Sequence, residues 1–153
     1  MTSINLLNHL LVRVPNYLMA WSSDRLPIPP MMADTYFTIV NLSPSYVEGS
    51  HFAAMIMKRH LNSKLTLWYY DPIGIGIIVD PILEWVSNHV STLYVNTRQI
   101  QPFNSVLCGQ YCAAYILSAF HYNHPAVLHQ YMDSNEIETN DVRVMRFIQK
   151  HLL

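Results

Sequence analysis

The sequence predicts an α+β domain, and three observations carry that prediction. Strand patterns gather between Thr35 and Asp71, with helical patterns on either side of them. Of 153 residues, 51% are apolar and only 12% charged, which suits one domain burying a real core and excludes wholesale disorder. No internal repeat or low-complexity tract divides the chain, so residues 1–153 are read as a single domain.

The elements follow in order. From Ser3 to about Arg13 an amphipathic helix is expected, capped by Ser3, with Ile4, Leu7, Leu10 and Leu11 on one face. "SDRLPIPPMM" is a loop, because Pro27, Pro29 and Pro30 forbid regular pairing. "TYFTIVNL" (Thr35–Leu42) is β-branched and aromatic, as a buried strand is. "SPSYVEGS" is a turn, and His51–Arg59 reads as the next strand, although its Ala and Met also fit a helix. "LNSK" turns the chain into a third strand, Leu65–Asp71. "DPIGIGIIVDP" is a loop in which Asp80 caps and Pro81 opens a helix over "ILEWVSNHV". "STLYVNTRQ" is a fourth strand, and after "PFNS" a helix runs from Cys108 to about Phe120. "HYNHP" stops it, "AVLHQYM" forms a short helix, and "NDVRVMRFIQKHLL" makes an amphipathic one with Val142, Met145, Phe147, Ile148 and Leu152 on one side.

Composition narrows the function classes. No apolar run approaches the roughly 20 residues that a bilayer span needs, and "MTSINLLNHLLVRV" lacks the pattern of a signal peptide. Two cysteines one helical turn apart make no disulfide framework, which points to a reducing, intracellular setting. Net charge is −1 with Lys and Arg spread thinly, so tight nucleic-acid binding is not expected. The eight histidines show no metal-ligand spacing, and neither a metal nor a cofactor is expected.

Cys108 is the candidate nucleophile, with a buried helix residue as the alternative reading of that position taken singly. A helix N-terminus stabilises a thiolate over a thiol, so a cysteine there is placed as a nucleophile, whereas Cys112, one turn inside, is placed as core. A thiolate nucleophile needs an imidazole to take its proton and return one to the leaving amine. His51 opens one strand and Asp71 closes its neighbour, so both can project from one sheet edge, Asp71 fixing the imidazole tautomer. Gln101, in the loop before the nucleophile, can aim its amide at the developing oxyanion beside the backbone N–H of Cys108. Gly109 leaves room for a substrate chain beside the sulfur.

The segment "QPFNSVLCGQYCAAYILSAF" resembles the active-site segment of the adenovirus protease (adenain) family of cysteine peptidases, with Gln101, Asn104-Ser105, Cys108-Gly109 and Cys112 at matching places. "IVN" (Ile39–Asn41), "EGSHF", "WYYDPIG", "SDRLPIPP" and "FIQKHLL" are similar to further motifs of that family, so the resemblance covers nearly the whole chain. It implies the fold of the ubiquitin-like-protein proteases: a mixed central sheet with the cysteine helix packed against it. It also assigns His51, Asp71, Gln101 and Cys108 as the catalytic set. The implied function is an endopeptidase that matures virion precursor proteins after small residues, typically glycine, in the host nucleus or cytoplasm and in the virion. A deconjugase for ubiquitin or a ubiquitin-like modifier, and a non-catalytic interaction module, are the alternatives.

Phe52 stands where the family has Trp, and Ile73 where it has an aromatic. Family members are stimulated by DNA and form a disulfide with a viral peptide through a cysteine before the active-site segment. No cysteine precedes Cys108, so a peptide activator would bind non-covalently, and the near-neutral charge argues against DNA stimulation.

Overall fold

A computed structural model describes residues 3–43, 51–61 and 64–153. The predicted turn at 43–50 lies outside the described residues except for Ser43, as do positions 62 and 63 of the predicted turn "LNSK". The architecture is α+β. Helix α1 (Ile4–Leu11) leads into a five-stranded sheet of β1 (Tyr17–Ser22), β2 (Thr35–Asn41), β3 (Phe52–Arg59), β4 (Leu65–Tyr70) and β5 (Val90–Val95). The strands lie in chain order, with β1/β2 and β4/β5 parallel and the two central pairs antiparallel. Helix α2 (Asp80–His89) crosses between β4 and β5, and α3 (Cys108–Tyr122) and α4 (Asn140–His151) complete the fold. Among the described residues no helix is long and apolar enough to cross a membrane.

Alternation along the strands divides the core in two. Phe37, Ile39, Phe52, Ala54, Ile56 and Tyr70 face α1, α3 and α4. Tyr36, Val40, Ala53, Met55, Leu67 and Tyr69 face the side packed by Ile82 and Trp85 of α2. With both faces covered, β2–β4 read as nearly continuous apolar runs. Helix α3 is buried from Cys108 to Ala119, which is why its sequence is apolar all round rather than striped.

Four elements differ from expectation. The sequence pattern predicts no strand at residues 17–22. There β1 is irregular, its register shifting between Tyr17 and Ala20 with Met19 at φ 73° and Asn16 at φ 63°, so two-residue periodicity is lost. Helix α2 is capped one residue early, by Val79 without a side-chain bond, and Asp80 lies inside the first turn. The short helix is a 3-10 segment, Pro125–Tyr131. In α4 the buried residues are Asn140, Val144, Phe147, Ile148 and His151, while Val142, Met145 and Leu152 are exposed. The inward stripe is held in part by two polar residues, which a count of apolar side chains passes over. Asn140 donates to the Ile100 carbonyl at 2.9 Å, and His151 stacks on Phe147 with ring centroids 4.0 Å apart.

Candidate active site

Antiparallel pairing of Ala54 with Tyr70 sets the start of β3 beside the end of β4. His51 immediately precedes β3 and Asp71 immediately follows β4, so both emerge at one end of the sheet. His51 Nε2 donates to Asp71 Oδ1 at 2.9 Å, across a pair in which the histidine side chain is 22% exposed and the carboxylate 1%. The other ring nitrogen, Nδ1, is left for the sulfur of Cys108, whose side chain is hydrogen-bonded to His51. Cys108 is the first residue of α3 and is buried.

The acid is held tightly. Asp71 Oδ1 also accepts the Ile73 N–H at 2.8 Å, while buried Oδ2 has no partner among the described residues. Gly74 closes the turn by donating its N–H to the Asp71 carbonyl at 2.9 Å. Its φ of +80° and the Thr97 carbonyl oxygen, 2.7 Å from where a Cβ would stand, restrict that position to glycine. The Pro72 carbonyl accepts the N–H groups of Ile100 at 2.8 Å and Gln101 at 3.1 Å, which ties the acid turn to the loop before the cysteine.

Gln101 is 2% exposed. Its Nε2 donates to the Ser105 carbonyl at 3.2 Å, which leaves a second amide hydrogen, and its Oε1 has no partner among the described residues. The structure therefore brings His51, Asp71 and Cys108 into one hydrogen-bonded set and ties Gln101 to the loop leading into α3.

Burial alone would draw His51 down. It is outweighed by the hydrogen bonds to Asp71 and Cys108 and by their charges, so His51 ends raised from 6.5 to about 9. The two cysteines are unlike. Cys112 is fully enclosed, and burial pushes its thiol well above the ordinary range. A hollow of ≈ 460 Å³ lined by Met31, Asp34, Lys58 and Leu61 lies toward the far end of β3 and contains none of the four candidate residues.

Three polar residues outside the predicted set hold this arrangement. Asn96 bonds both main-chain groups of Asp71. Asp141 Oδ1 accepts the hydroxyls of Ser105 and Tyr111, each at 2.8 Å, and so fastens the loop before Cys108 to the first turn of α3. Asn140 fixes Ile100, the neighbour of Gln101. The available signal is a polar residue at the end of an apolar strand, or at the head of a helix, with no obvious local use.

No protein-family model matches the chain, and no curated protein matches it by sequence. Solved structures do. The ASFV pS273R protease superposes with a TM-score of 0.52 at 18% identity, covering 79% of this chain and 44% of its own. The central domain of the uncharacterized Lpg1148 protein of Legionella pneumophila has a TM-score of 0.52 at 11% identity, covering 88% of this chain and 86% of its own. The chain thus shares the fold of these two structures. The likeness, at these identities, concerns the fold, and it does not single out the adenovirus family. The chain spans less than half of the ASFV protease it matches.

Proposed function

We propose that this chain is a cysteine peptidase in which Cys108 is the nucleophile, His51 its general base and acid, Asp71 the orienting carboxylate and Gln101 an oxyanion donor. One observation carries the reading: a buried carboxylate holds one nitrogen of His51 while the side chain of a helix-initial cysteine bonds the same ring. In this arrangement the proton of the Cys108 thiol passes to His51, and the thiolate attacks the substrate carbonyl. The tetrahedral oxyanion is met by the Cys108 N–H and the second amide hydrogen of Gln101. His51 then protonates the leaving amine, an acyl-enzyme forms, and water activated by the same imidazole releases the acid product.

The fold shared with a viral protease supports a polypeptide substrate, and we assign maturation cleavage of viral precursor proteins after glycine as its role. A non-covalent peptide activator is compatible with it, and stimulation by DNA is not part of it. Incubation with a Gly-Gly fluorogenic peptide, with a viral precursor and with a ubiquitin-like conjugate tests this. The expected result is cleavage of the first two that disappears in a folded Cys108→Ala protein. Cleavage at the parent rate by Cys108→Ala overturns the assignment, and release of the modifier alone replaces maturation with deconjugation.

A further inference from the structure

The end of β4 poses a main-chain problem that the catalytic reading does not address. The β4/β5 ladder runs through Trp68 with Tyr94 and Tyr69 with Val95, and the Asn96 N–H still reaches the Tyr69 carbonyl at 3.3 Å. Beyond that point β5 has ended, yet Asp71 must stand 1% exposed with its N–H and C=O facing the interior. Buried main-chain groups without partners are costly, and here they belong to the residue that aims the imidazole.

The Gly74 N–H already reaches the carbonyl at 2.9 Å, and one carboxamide supplies the N–H with its acceptor and the carbonyl with a second donor. Asn96, 8% exposed, accepts the Asp71 N–H on Oδ1 at 2.8 Å and donates from Nδ2 to the Asp71 carbonyl at 2.9 Å. It thus stands in, with one side chain, for ladder bonds that a continuing parallel strand would have made from two of its residues. Its second Nδ2 hydrogen reaches the Arg98 carbonyl at 3.1 Å, on the strand-to-loop path toward Gln101. Both donors and an acceptor are used, which an aspartate, lacking the donors, cannot do. We propose that Asn96 is a positioning residue of the active site: it touches no reacting atom and acts by clamping the main chain of Asp71, which sets where the carboxylate meets His51. Its catalytic consequence rests on the peptidase reading above.

Among the described residues, the titratable groups acting on His51 are Asp71 at the end of β4 and Cys108 at the start of α3, so the imidazole reports directly on the clamp. The test is the titration of His51 by NMR in the full chain, for the parent, Asn96→Ala, Asp71→Ala and the double variant, with circular dichroism confirming the fold. In Asn96→Ala the midpoint is expected to fall from about 9 toward 6.5, and to move no further when Asn96→Ala is added to Asp71→Ala. Turnover should drop on the order of 10- to 100-fold with KM unchanged, as misplacement of a catalytic group predicts. An unmoved midpoint in folded Asn96→Ala overturns the proposal, and so does an equal fall with and without Asp71. Should Asn96→Ala fail to fold, Asn96→Ser, which keeps a small polar group, is read by the same two criteria. The titration needs no substrate, so a chain that cleaves no peptide would refute the peptidase reading while the midpoints still decide whether Asn96 clamps Asp71.

Discussion

Replacing Asp71 by Asn removes a charge at a site 1% exposed, and the consequence is read through His51. The imidazole is lowered by burial but raised by more through Asp71 and Cys108, from 6.5 to about 9. A native value that far above the unfolded one corresponds to about 3 kcal/mol of folding free energy. Because the native value is raised, this stability is present in full below the unfolded value of 6.5 and is lost as pH rises through about 9. About 3 kcal/mol is thus the net of a penalty from burial and larger gains from Asp71 and Cys108 together, and the part that depends on Asp71 is what differs between the parent and Asp71→Asn. Urea denaturation of parent and Asp71→Asn, from about pH 6 to about pH 10, measures it. The gap in stability between the two proteins should be widest at the acid end and narrow as His51 loses its proton in both. Groups that titrate alike in the two proteins cancel in that difference. A gap that stays constant across the range would refute the claim that Asp71 holds His51 as an imidazolium ion. So would an equal pH-dependent gap in a His51→Gln background, where no imidazole remains to respond.

Gln101→Ala is expected to retain substrate binding while turnover falls on the order of 10²–10³-fold, measured as kcat on a peptide substrate. An unchanged kcat would leave the oxyanion to the Cys108 N–H alone. Iodoacetamide should label Cys108 well ahead of Cys112, which is fully buried with its thiol pushed up, as read by mass spectrometry of the separated peptides. Equal labelling of the two in the folded protein would count against an activated thiolate.

How much of this is legible in the sequence depends on what kind of interaction carries the information. Strands β2–β4 can be read because both faces are covered, so their side chains are apolar almost without break. Helix α3 can be read for the same reason, and His51 and Asp71 because a hairpin must bring its strand start and neighbouring strand end together. Strand β1 cannot, since left-handed Asn16 and Met19 break the period on which strand recognition depends. The inward face of α4 differs from the one its apolar residues select, because Asn140 and His151 take core positions through specific hydrogen bonds, not through apolarity. Asn96 and Asp141 are out of reach for a related reason. They act on main-chain groups or hydroxyls 25 to 36 residues away, and no local pattern encodes such pairings.

The start of α3 shows how stability and reactivity are apportioned. Helix α1 uses Ser3 to accept the Leu6 N–H, an ordinary cap that contributes on the order of 1 kcal/mol. Helix α3 has Leu107 at the cap position, no side-chain capping bond and no acidic residue in its first turn. A hydroxyl and a carboxylate do stand nearby, in Ser105 and Asp141. Ser105 Oγ accepts from Leu107 and donates to Asp141, and the same Asp141 oxygen takes the Tyr111 hydroxyl, so both are occupied in fastening the loop. A capping carboxylate would stabilise the helix and also oppose negative charge on the sulfur of Cys108. The cap can be omitted because α3 is enclosed by the sheet, α1 and α4 along its buried run from Cys108 to Ala119. Packing along its sides thus makes good the missing cap, and the positive end of the helix dipole stays directed at Cys108, the residue that the proposed chemistry needs charged.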